Sequence, residues 1–322
     1  MAANAKARTI AVIGNGIIGH GIAEIFAGAG WRVHLIGRGA ESLAAARKKI
    51  GASLKLFVAN KLMTEAGRKA ALGRIKTTTR LEDAAPAELV IEAVPEDMAL
   101  KRAIFGRLDR ICGVEAILAS SSGHLTSELV DEVRHRGRVI ATHFWYPPQL
   151  IPLVEVSAGP ETAPDLVPRI CEILSAVGKE PVVIDKEIAG FIGNRIQFAA
   201  LREAWALWAS GVASAAAIDA VVRNSIGRRL GITGPIESAD LGGLDTMVAF
   251  ARFLQPHLDA AKLPPPALER LVADGRRGLS NGRGVYDWSK RDGGALLESR
   301  KAELFRWLKA DRAAARKKGK RA

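Results

Sequence analysis

The fold is decided by residues 8–37, which read RTIAVIGNGIIGHGIAEIFAGAGWRVHLIG. Residues 8–13 form a short β-branched run that is typical of a buried strand, and residues 31–37 also predict a strand. Between them lie a glycine-rich turn and an apolar stretch with helical spacing. A strand, a helix and a second strand in this order predict a βαβ unit, with which a doubly wound parallel sheet begins.

The same alternation continues through a first domain. Residues 40–75 have a basic amphipathic pattern that predicts two helices. Further strands, most of them separated by helical stretches, are predicted at residues 88–95, 116–122, 137–145, 150–156 and 180–186. The sequence therefore predicts an α/β, Rossmann-like, doubly wound N-terminal domain over residues 1–187.

After Gly190 the pattern changes, because strand signals nearly vanish. Helices are predicted at residues 191–214, 215–226, 244–258 and 264–275. The first of these helices carries Trp205 and Trp208, so its apolar surface is large. Such a surface has to be buried in the domain core or against a second subunit. We predict an all-α C-terminal domain over residues 188–322, which binds substrate or dimerises.

Composition excludes several classes of protein. Of the 322 residues 48% are hydrophobic and 25% charged, which is ordinary for a globular protein. No window approaches the roughly 18 uninterrupted apolar residues of a membrane span. The N-terminal residues show no h-region and no cleavage site, so we expect no export. The two cysteines, Cys112 and Cys171, have no metal-ligand spacing, and two are too few for a disulfide framework. We expect no metal site and a reducing, cytoplasmic location.

The charge of the chain is strongly basic. Of the net charge of +13, residues 309–322 contribute +6, because they hold seven Lys or Arg and one Asp. We expect a solvated helix end there. Nucleic-acid binding is the alternative, but no aromatic residues interleave the basic run as they would in a single-strand binder. The basic body favours anionic ligands such as dinucleotides, carboxylates or CoA.

The glycine turn predicts a dinucleotide site. Gly14, Gly16 and Gly19, with Ile17 and Ile18 between them, directly follow a strand and precede a helix. The first glycine permits the turn, the second lets the backbone approach a pyrophosphate, and the third allows close helix packing. The helix N-terminus then stabilises the phosphates. The alternative is a tight βα turn without a ligand.

The end of the second strand bears on the choice of cofactor. An acidic residue is expected there to bind the ribose 2′-hydroxyl, but the chain has Gly37 followed by Arg38. A glycine makes room for a 2′-phosphate, and an arginine can pair with it. The residues therefore favour NADP over NAD. If Arg38 is only a surface residue, either cofactor fits.

Three further segments, together with the glycine turn, resemble motifs of one family. They are SSSG at residues 120–123, HFWYPPQLIPLVEV at 143–156 and GFIGNR at 190–195. The chain resembles the 3-hydroxyacyl-CoA dehydrogenase family, which also includes dehydrogenases of free hydroxy acids such as L-gulonate and carnitine. The similarity extends to GRGVYDW at 282–288. It implies a Rossmann-like domain followed by a helical domain that usually dimerises. It also implies hydride transfer between a nicotinamide and the carbinol carbon of a 3-hydroxy substrate.

The resemblance assigns catalytic roles to four residues. The family's catalytic histidine and orienting glutamate correspond to His143 and Glu155, and its serine and asparagine correspond to Ser122 and Asn194. A lone histidine in an apolar stretch is more often a core residue. Alcohol oxidation, however, needs a base for the hydroxyl proton, and a carboxylate on the other ring nitrogen fixes the tautomer. Neutral donors such as Ser122 and Asn194 can hold the substrate oxygen, although either residue could instead be a cap.

Other positions concern the cofactor side of the site. The family's cofactor-side Glu and Lys, five residues apart, correspond to Glu96 and Lys101. The chain departs from the family at Gly37, which replaces an aspartate, and at Tyr146, which replaces an asparagine near the nicotinamide. A phenol is bulkier than an amide and lacks its paired donor and acceptor. His124, close to Ser122, is expected to be incidental.

The sequence is compatible with two kinds of substrate, a CoA ester and a free hydroxy acid. The segment QLIPLVEV resembles the free hydroxy acid branch more than the acyl-CoA branch. Lysines on the helices after the second strand could receive CoA, but any amphipathic helix shows such a face. The leading interpretation is a dehydrogenase of a 3-hydroxy acid or its CoA ester, and the second is an enzyme strictly for a small free hydroxy acid. A dinucleotide-binding protein without catalysis is the non-enzyme alternative.

Overall fold

The computed structural model describes residues 8–318, which divide into two compact units. One unit contains the described residues up to Ile192 together with those from Arg300 onward. The other unit is Gly193–Ser299. Within residues 8–318, no helix combines the length and the hydropathy that a membrane span requires.

Eight strands of the described residues form a single sheet in the first unit. The strands are β1 (Thr9–Ile13), β2 (Arg32–Ile36), β3 (Ile75–Thr78), β4 (Leu89–Glu92), β5 (Ile117–Ser120), β6 (Val139–Phe144), β7 (Leu153–Ala158) and β8 (Glu180–Ile184). Their order is β3-β2-β1-β4-β5-β6-β7-β8. All neighbours pair in parallel except β6 and β7, which are antiparallel. The chain changes direction across the sheet between β1 and β4, where ligands of such sheets usually bind.

Helices cover both faces of this sheet. Those of the first unit up to β8 are α1 (Gly19–Gly28), α2 (Ala40–Ala59), α3 (Glu65–Gly73), α4 (Met98–Ile111), α5 (Thr126–Leu129) and α6 (Leu166–Ala176). Alternate residues of β1 enter two different hydrophobic clusters: Ile10 and Val12 pack with residues of α1, α2 and α6, and Ala11 and Ile13 with residues of α4. Side chains of a strand alternate between faces, so both faces are buried. The predicted doubly wound domain is confirmed.

The strand β3 was not predicted. The pattern over residues 40–75 indicated two helices, and α2 and α3 are those helices, but Ile75 begins a strand rather than ending the second helix. The sequence of β3, IKTT, is short, and only Ile75 is buried. An edge strand with one buried side chain leaves too little alternation for a sequence pattern to reveal.

The chain is helical from Phe191 onward. Its helices are α7 (Phe191–Ala209), α8 (Ala215–Asn224), α9 (Ile226–Arg229), α10 (Pro235–Leu241), α11 (Leu244–Leu254), α12 (Pro266–Ala273) and α13 (Gly293–Lys318). Short 3-10 helices lie at Leu81–Ala84, Arg136–Arg138, Gln255–His257 and Leu279–Asn281. Only isolated bridges, between Gly278 and Arg283 and between Arg283 and Asp287, occur in Gly193–Ser299. The predicted all-α character is therefore confirmed.

The last helix departs from the predicted division at residue 188, because its C-terminal part belongs to the first unit. Phe305 and Leu308 are buried in a cluster with Phe57 and Leu150, and the rings of Phe57 and Phe305 lie 5.3 Å apart. The start of the basic tail is also anchored, since Arg312 donates to the carbonyl oxygen of Leu62 at 3.0 Å. Residues 309–315 are nonetheless helical and exposed, which agrees with the expected solvated helix end, and residues 319–322 lie outside the described part.

Candidate active site

The glycine turn between β1 and α1 has the shape that a pyrophosphate requires. Gly14 has φ of +103°, and a Cβ there would overlap the carbonyl oxygen of Ala93 on the neighbouring chain segment. A Cβ on Gly19 would overlap the carbonyl oxygen of Gly14, so this glycine allows the close packing of α1. At Gly16 a Cβ would meet no heavy atom within 4 Å, which leaves open space beside the backbone. The residues present fit a dinucleotide.

Two isoleucines and one histidine complete this turn. Ile17 is 58% exposed, and Ile18 packs partly against the core. The Nδ1 atom of His20 lies 2.6 Å from the carbonyl oxygen of Gly16. Burial, with a smaller contribution from Lys49, lowers the pKa of His20, so the imidazole beside the turn is neutral at neutral pH.

The end of β2 is occupied by an amide rather than by a carboxylate. A Cβ on Gly37 would lie 2.7 Å from Oδ1 of Asn15, so the Asn15 side chain fills the space beside this glycine. Arg38 is exposed, and among the described residues no ion pair to it is found. The sequence analysis did not single out Asn15, because a residue between two glycines looks like an ordinary turn residue.

His143 and Glu155 are directly opposite each other on the antiparallel strands β6 and β7. The His143 Nδ1 and Glu155 Oε2 atoms are 2.8 Å apart, and the side chains are only 12% and 3% exposed. A carboxylate accepts, so Nδ1 carries the hydrogen, and the Nε2 atom of a neutral ring is left as a proton acceptor. The predicted proximity is therefore present: an imidazole held in one tautomer by a buried carboxylate.

Two aromatic residues that the sequence analysis missed surround this pair. The indole Nε1 of Trp145 donates to Glu155 Oε2 at 3.0 Å. Phe191 is fully buried with φ of +53°, and its ring centre lies 5.5 Å from that of His143. In the sequence both look like ordinary apolar residues, and only the fold shows what they contact.

Ser122 follows β5 and is almost fully buried. Its hydroxyl donates to Glu96 Oε2 at 2.6 Å and accepts from the backbone N–H of His124 at 3.2 Å. The same Glu96 oxygen lies 3.3 Å from His124 Nε2 and 3.4 Å from Lys101 Nζ. Glu96, whose side chain is 59% exposed, therefore links Ser122 with two basic groups.

Lys101 is a buried cation rather than an open one. Its side chain is 1% exposed, and its Nζ lies 2.9 Å and 3.2 Å from the two carboxylate oxygens of Glu92. Glu92 also accepts from the Ser120 hydroxyl at 2.7 Å and from the Val94 N–H at 2.6 Å. Among its contacts, only that with Glu96 joins the Lys101 ammonium to a side chain that reaches the surface.

Two predicted residues remain, Tyr146 and Asn194. Tyr146 is 56% exposed and follows the His143 strand. Asn194 lies in the first turn of α7, within the second compact unit, so its role stays a prediction. No group of three or more His, Cys, Asp or Glu side chains among residues 8–318 could hold a metal ion.

The sheet topology brings the main groups to one edge. Gly14 follows β1, Glu96 follows β4, Ser122 follows β5, and His143 lies near the end of β6. These strands are parallel, so their carboxyl ends meet at the same edge. That edge combines a glycine turn for a dinucleotide, a neutral hydroxyl and an oriented base. Proton transfer next to a bound nicotinamide is the chemistry that such a set can perform.

Comparison with known proteins supports the same assignment. Residues 9–188 match the NAD binding domain of 3-hydroxyacyl-CoA dehydrogenase, and residues 190–288 match its C-terminal domain. A 3-hydroxyadipyl-CoA dehydrogenase of Escherichia coli (strain K12) is 35% identical over 287 residues. These cover 87% of this chain but 59% of that relative, so the chain spans less than two thirds of its length.

A second relative matches the chain over nearly its whole length. A 5-formyl-3-hydroxy-2-methylpyridine 4-carboxylate 5-dehydrogenase of Mesorhizobium japonicum is 32% identical over 303 residues, 92% of this chain and 96% of that protein. The crystal structure of a 5-dehydrogenase of this kind, described as an NAD+ dependent dismutase, superimposes with a TM-score of 0.87 at 28% identity. It covers 95% of this chain and 99% of that one.

These matches extend over both parts of the chain. The predicted enzyme class, a nicotinamide-dependent dehydrogenase that acts on CH–OH groups, is confirmed, and the first domain is an NAD-binding domain. The chain belongs to the 3-hydroxyacyl-CoA dehydrogenase family.

Proposed function

We propose that this enzyme transfers hydride between NAD and the carbinol carbon of a 3-hydroxy acid or its CoA thioester, with His143 as the base. The observation that carries the proposal is the His143–Glu155 pair, with 2.8 Å between Nδ1 and Oε2. It lies at the sheet edge that also holds the glycine turn. Among the described residues no hydrogen bond to His143 Nε2 is found, so this atom is available to a substrate hydroxyl.

The protein groups have separate tasks in this reaction. His143 Nε2 takes the hydroxyl proton during oxidation and returns it during reduction. Glu155 holds the ring in the required tautomer and stabilises the imidazolium that forms. Ser122 donates to the substrate oxygen once its hydroxyl turns away from Glu96, and Asn194 is proposed as a second donor. When bound, the nicotinamide supplies hydride acceptance.

The test is oxidation followed at the absorbance band of reduced nicotinamide. Wild-type enzyme is assayed with NAD against a 3-hydroxyacyl-CoA and a panel of free 3-hydroxy acids. We expect His143→Ala to lower kcat by at least about 1,000-fold, with NAD affinity near that of the wild type. Normal turnover in His143→Ala would remove His143 from the mechanism.

The names of the relatives point to two substrate classes. The Escherichia coli relative is named for a CoA thioester, and the Mesorhizobium relative for a free pyridine carboxylate. Lysines that could meet the phosphates of CoA are exposed on α2 and just after it: Lys48, Lys49, Lys55 and Lys61. A free acid is favoured by the QLIPLVEV segment and by the nearly full-length match to the second relative. Turnover with the thioester alone would reject the free acid, and the reverse result would reject the thioester.

We also propose that Arg38 allows the enzyme to accept NADP. Gly37 places no carboxylate at the end of β2, and Arg38 is exposed beside it. A 2′-phosphate would meet the guanidinium instead of a repelling charge. We predict that Arg38→Ala raises KM for NADP about tenfold and KM for NAD less than twofold, since one exposed charge-assisted contact is lost. The measurement is initial rate against each cofactor, and equal effects on both cofactors would contradict the role of Arg38.

A second copy of the chain is proposed as the partner. Within Gly193–Ser299 no apolar side chain larger than alanine is buried, and several are strongly exposed, among them Ile236 at 82%, Leu241 at 79% and Ile232 at 78%. Apolar helices without a core of their own need a covering surface. Light scattering on the purified chain should give twice the monomer mass.

We also propose a cytoplasmic location. Cys112 and Cys171 are free cysteines, which supports a reducing compartment.

A further inference from the structure

Trp145 shares a carboxylate oxygen with His143. The indole Nε1 of Trp145 lies 3.0 Å from Glu155 Oε2, and His143 Nδ1 lies 2.8 Å from the same atom. Both donors come from one segment and are two residues apart. Residues at this spacing in extended backbone point to the same side, so both side chains can reach one oxygen. The acceptor lies across the antiparallel pair of β6 and β7.

Two donors on one oxygen constrain a carboxylate more than one donor does. A glutamate has three side-chain torsions, and its carboxylate can turn about the last of them at little cost. The hydrogen bond from the imidazole does not prevent the carboxylate and the ring from rotating together about their side-chain torsions. The rigid Trp145 indole, whose centre lies 5.6 Å from the His143 ring, donates to the same atom and resists that motion.

The consequence for His143 is geometric. The direction of the Nδ1–H bond fixes the ring plane, and the ring plane fixes where Nε2 points. A base has to lie within hydrogen-bonding distance of the proton that it removes, so a small rotation of the ring is costly. Holding the Glu155 oxygen therefore holds the reactive nitrogen, although Trp145 itself does not touch the proton.

We propose that Trp145 is a positioning residue, which fixes Glu155 Oε2 and through it the His143 ring. The inference rests on the proposed role of the His143–Glu155 pair. It goes beyond that role, because it assigns a third member to the pair. A positioning role differs from a packing role in its effects. Loss of a packing residue would lower stability without acting through Glu155.

The experiment compares Trp145→Phe with the wild type. Phenylalanine keeps an aromatic ring and removes the N–H donor. We expect kcat to fall about tenfold. Losses of this size are common when a residue that orients a metal-binding histidine through a hydrogen bond is removed, and Trp145 would orient His143 in a comparable way. The KM values for cofactor and substrate should stay within about twofold, because no binding contact is lost. Trp31→Phe is the matched control, since Trp31 is a core residue that packs on Phe26 away from the pair.

A double-mutant cycle shows whether Trp145 acts through Glu155. If it does, Trp145→Phe has almost no further effect on kcat in a Glu155→Gln background. The same tenfold loss in both backgrounds would overturn the inference. So would an unchanged kcat in Trp145→Phe while His143→Ala is inactive, and that outcome would leave the proposed function intact. Normal turnover in His143→Ala would instead reject the proposed function.

A spectroscopic measurement covers the case in which Trp145→Phe folds poorly. In a proton–nitrogen correlation spectrum of the full wild-type chain, the Trp145 indole N–H should appear downfield, because it donates to a carboxylate. Glu155→Gln should move this signal upfield and leave the indole signal of Trp31 in place. An indole signal of Trp145 that does not respond to Glu155→Gln would overturn the inference.

Discussion

Glu92 and Glu155 are buried carboxylates of the same sheet, but their partners are of opposite kinds. Glu92 ends β4 and is fully buried, and it accepts from the Lys101 ammonium at 2.9 Å and from the Ser120 hydroxyl at 2.7 Å. Glu155 lies on β7 and is nearly as buried. Burial of the carboxylate is thus the same in the two places.

The difference lies in what the partner can do with a proton. A lysine ammonium is a donor without an acceptor atom, whereas an imidazole that donates through Nδ1 keeps Nε2 as a proton acceptor. Lys101 is also sealed from solvent, with 1% of its side chain exposed, while His143 is 12% exposed. A buried acid that faces a sealed ammonium stabilises the fold. A buried acid that faces an accessible proton acceptor can support catalysis.

The largest effect is expected from removing the charge of Glu155. Glu155→Gln keeps the shape of the side chain, but it no longer stabilises an imidazolium or enforces one tautomer. We expect kcat to fall about 1,000-fold or more, with little change in unfolding temperature. Initial rates and thermal unfolding of the same preparation measure both effects.

Glu92→Gln is the matched substitution on the other carboxylate. It removes the buried carboxylate that pairs with the Lys101 ammonium and leaves only the exposed Glu96, 3.4 Å away, so it should lower the unfolding temperature more than Glu155→Gln does. Its kcat per folded molecule should stay far closer to that of the wild type. If Glu92→Gln abolished turnover in a fully folded protein, the distinction between the two carboxylates would be wrong.

The second effect concerns the other member of the buried ion pair. Lys101→Met leaves the Glu92 carboxylate buried without its cation, which we expect to lower the free energy of unfolding by about 3 to 5 kcal/mol. The double variant Glu92→Gln and Lys101→Met should recover part of this loss, because neither buried charge remains. Urea unfolding measures both. A raised KM for NAD without loss of stability would show instead that Lys101 serves the cofactor.

Sequence reasoning identified the parts of this enzyme that depend on local pattern. The βαβ unit followed from residues 8–37, because β-branched runs and glycine spacing are local signals. The pairing of His143 with Glu155 came from the resemblance to the family's motif, and the register of β6 and β7 places the two residues opposite each other. The first prediction needed only local pattern, and the second needed only a short motif.

The missed features depend on contacts that no local pattern encodes. The apolar positions of α13 lie in a strongly charged sequence, and only the fold shows that Phe305 and Leu308 pack with Phe57 and Leu150. The hydrogen bond of Trp145 is invisible, since an indole in an apolar run looks like core. Lys101 was assigned to the cofactor side by resemblance, and its buried pairing with Glu92 appears only once β4 and α4 are packed.

A third buried carboxylate, Glu24 on α1, gives the smallest expected effect and the sharpest contrast. It is 2% exposed, and Ser53 donates to its Oε1 at 2.8 Å, but its Oε2 has no hydrogen-bond partner among the described residues. Burial, only partly opposed by Ser53 and Lys179, raises the pKa of Glu24 to about 8. This carboxyl is therefore protonated at neutral pH.

This protonation makes stability depend on pH. Between pH 4.5, the ordinary pKa of the Glu24 carboxyl, and about 8, its folded value, the unfolded chain releases the proton while the folded chain keeps it. Stability from this group is thus complete below pH 4.5 and is lost as pH rises to about 8. Glu24→Gln cannot ionise, so the difference in unfolding free energy between variant and wild type should shift in favour of the variant by at least about 1 kcal/mol between pH 5 and 8. Urea unfolding across this range measures it. Glu172→Gln, an exposed change on α6, should give a constant difference. A constant difference for Glu24→Gln as well would mean that burial does not raise the pKa of Glu24 in the folded chain.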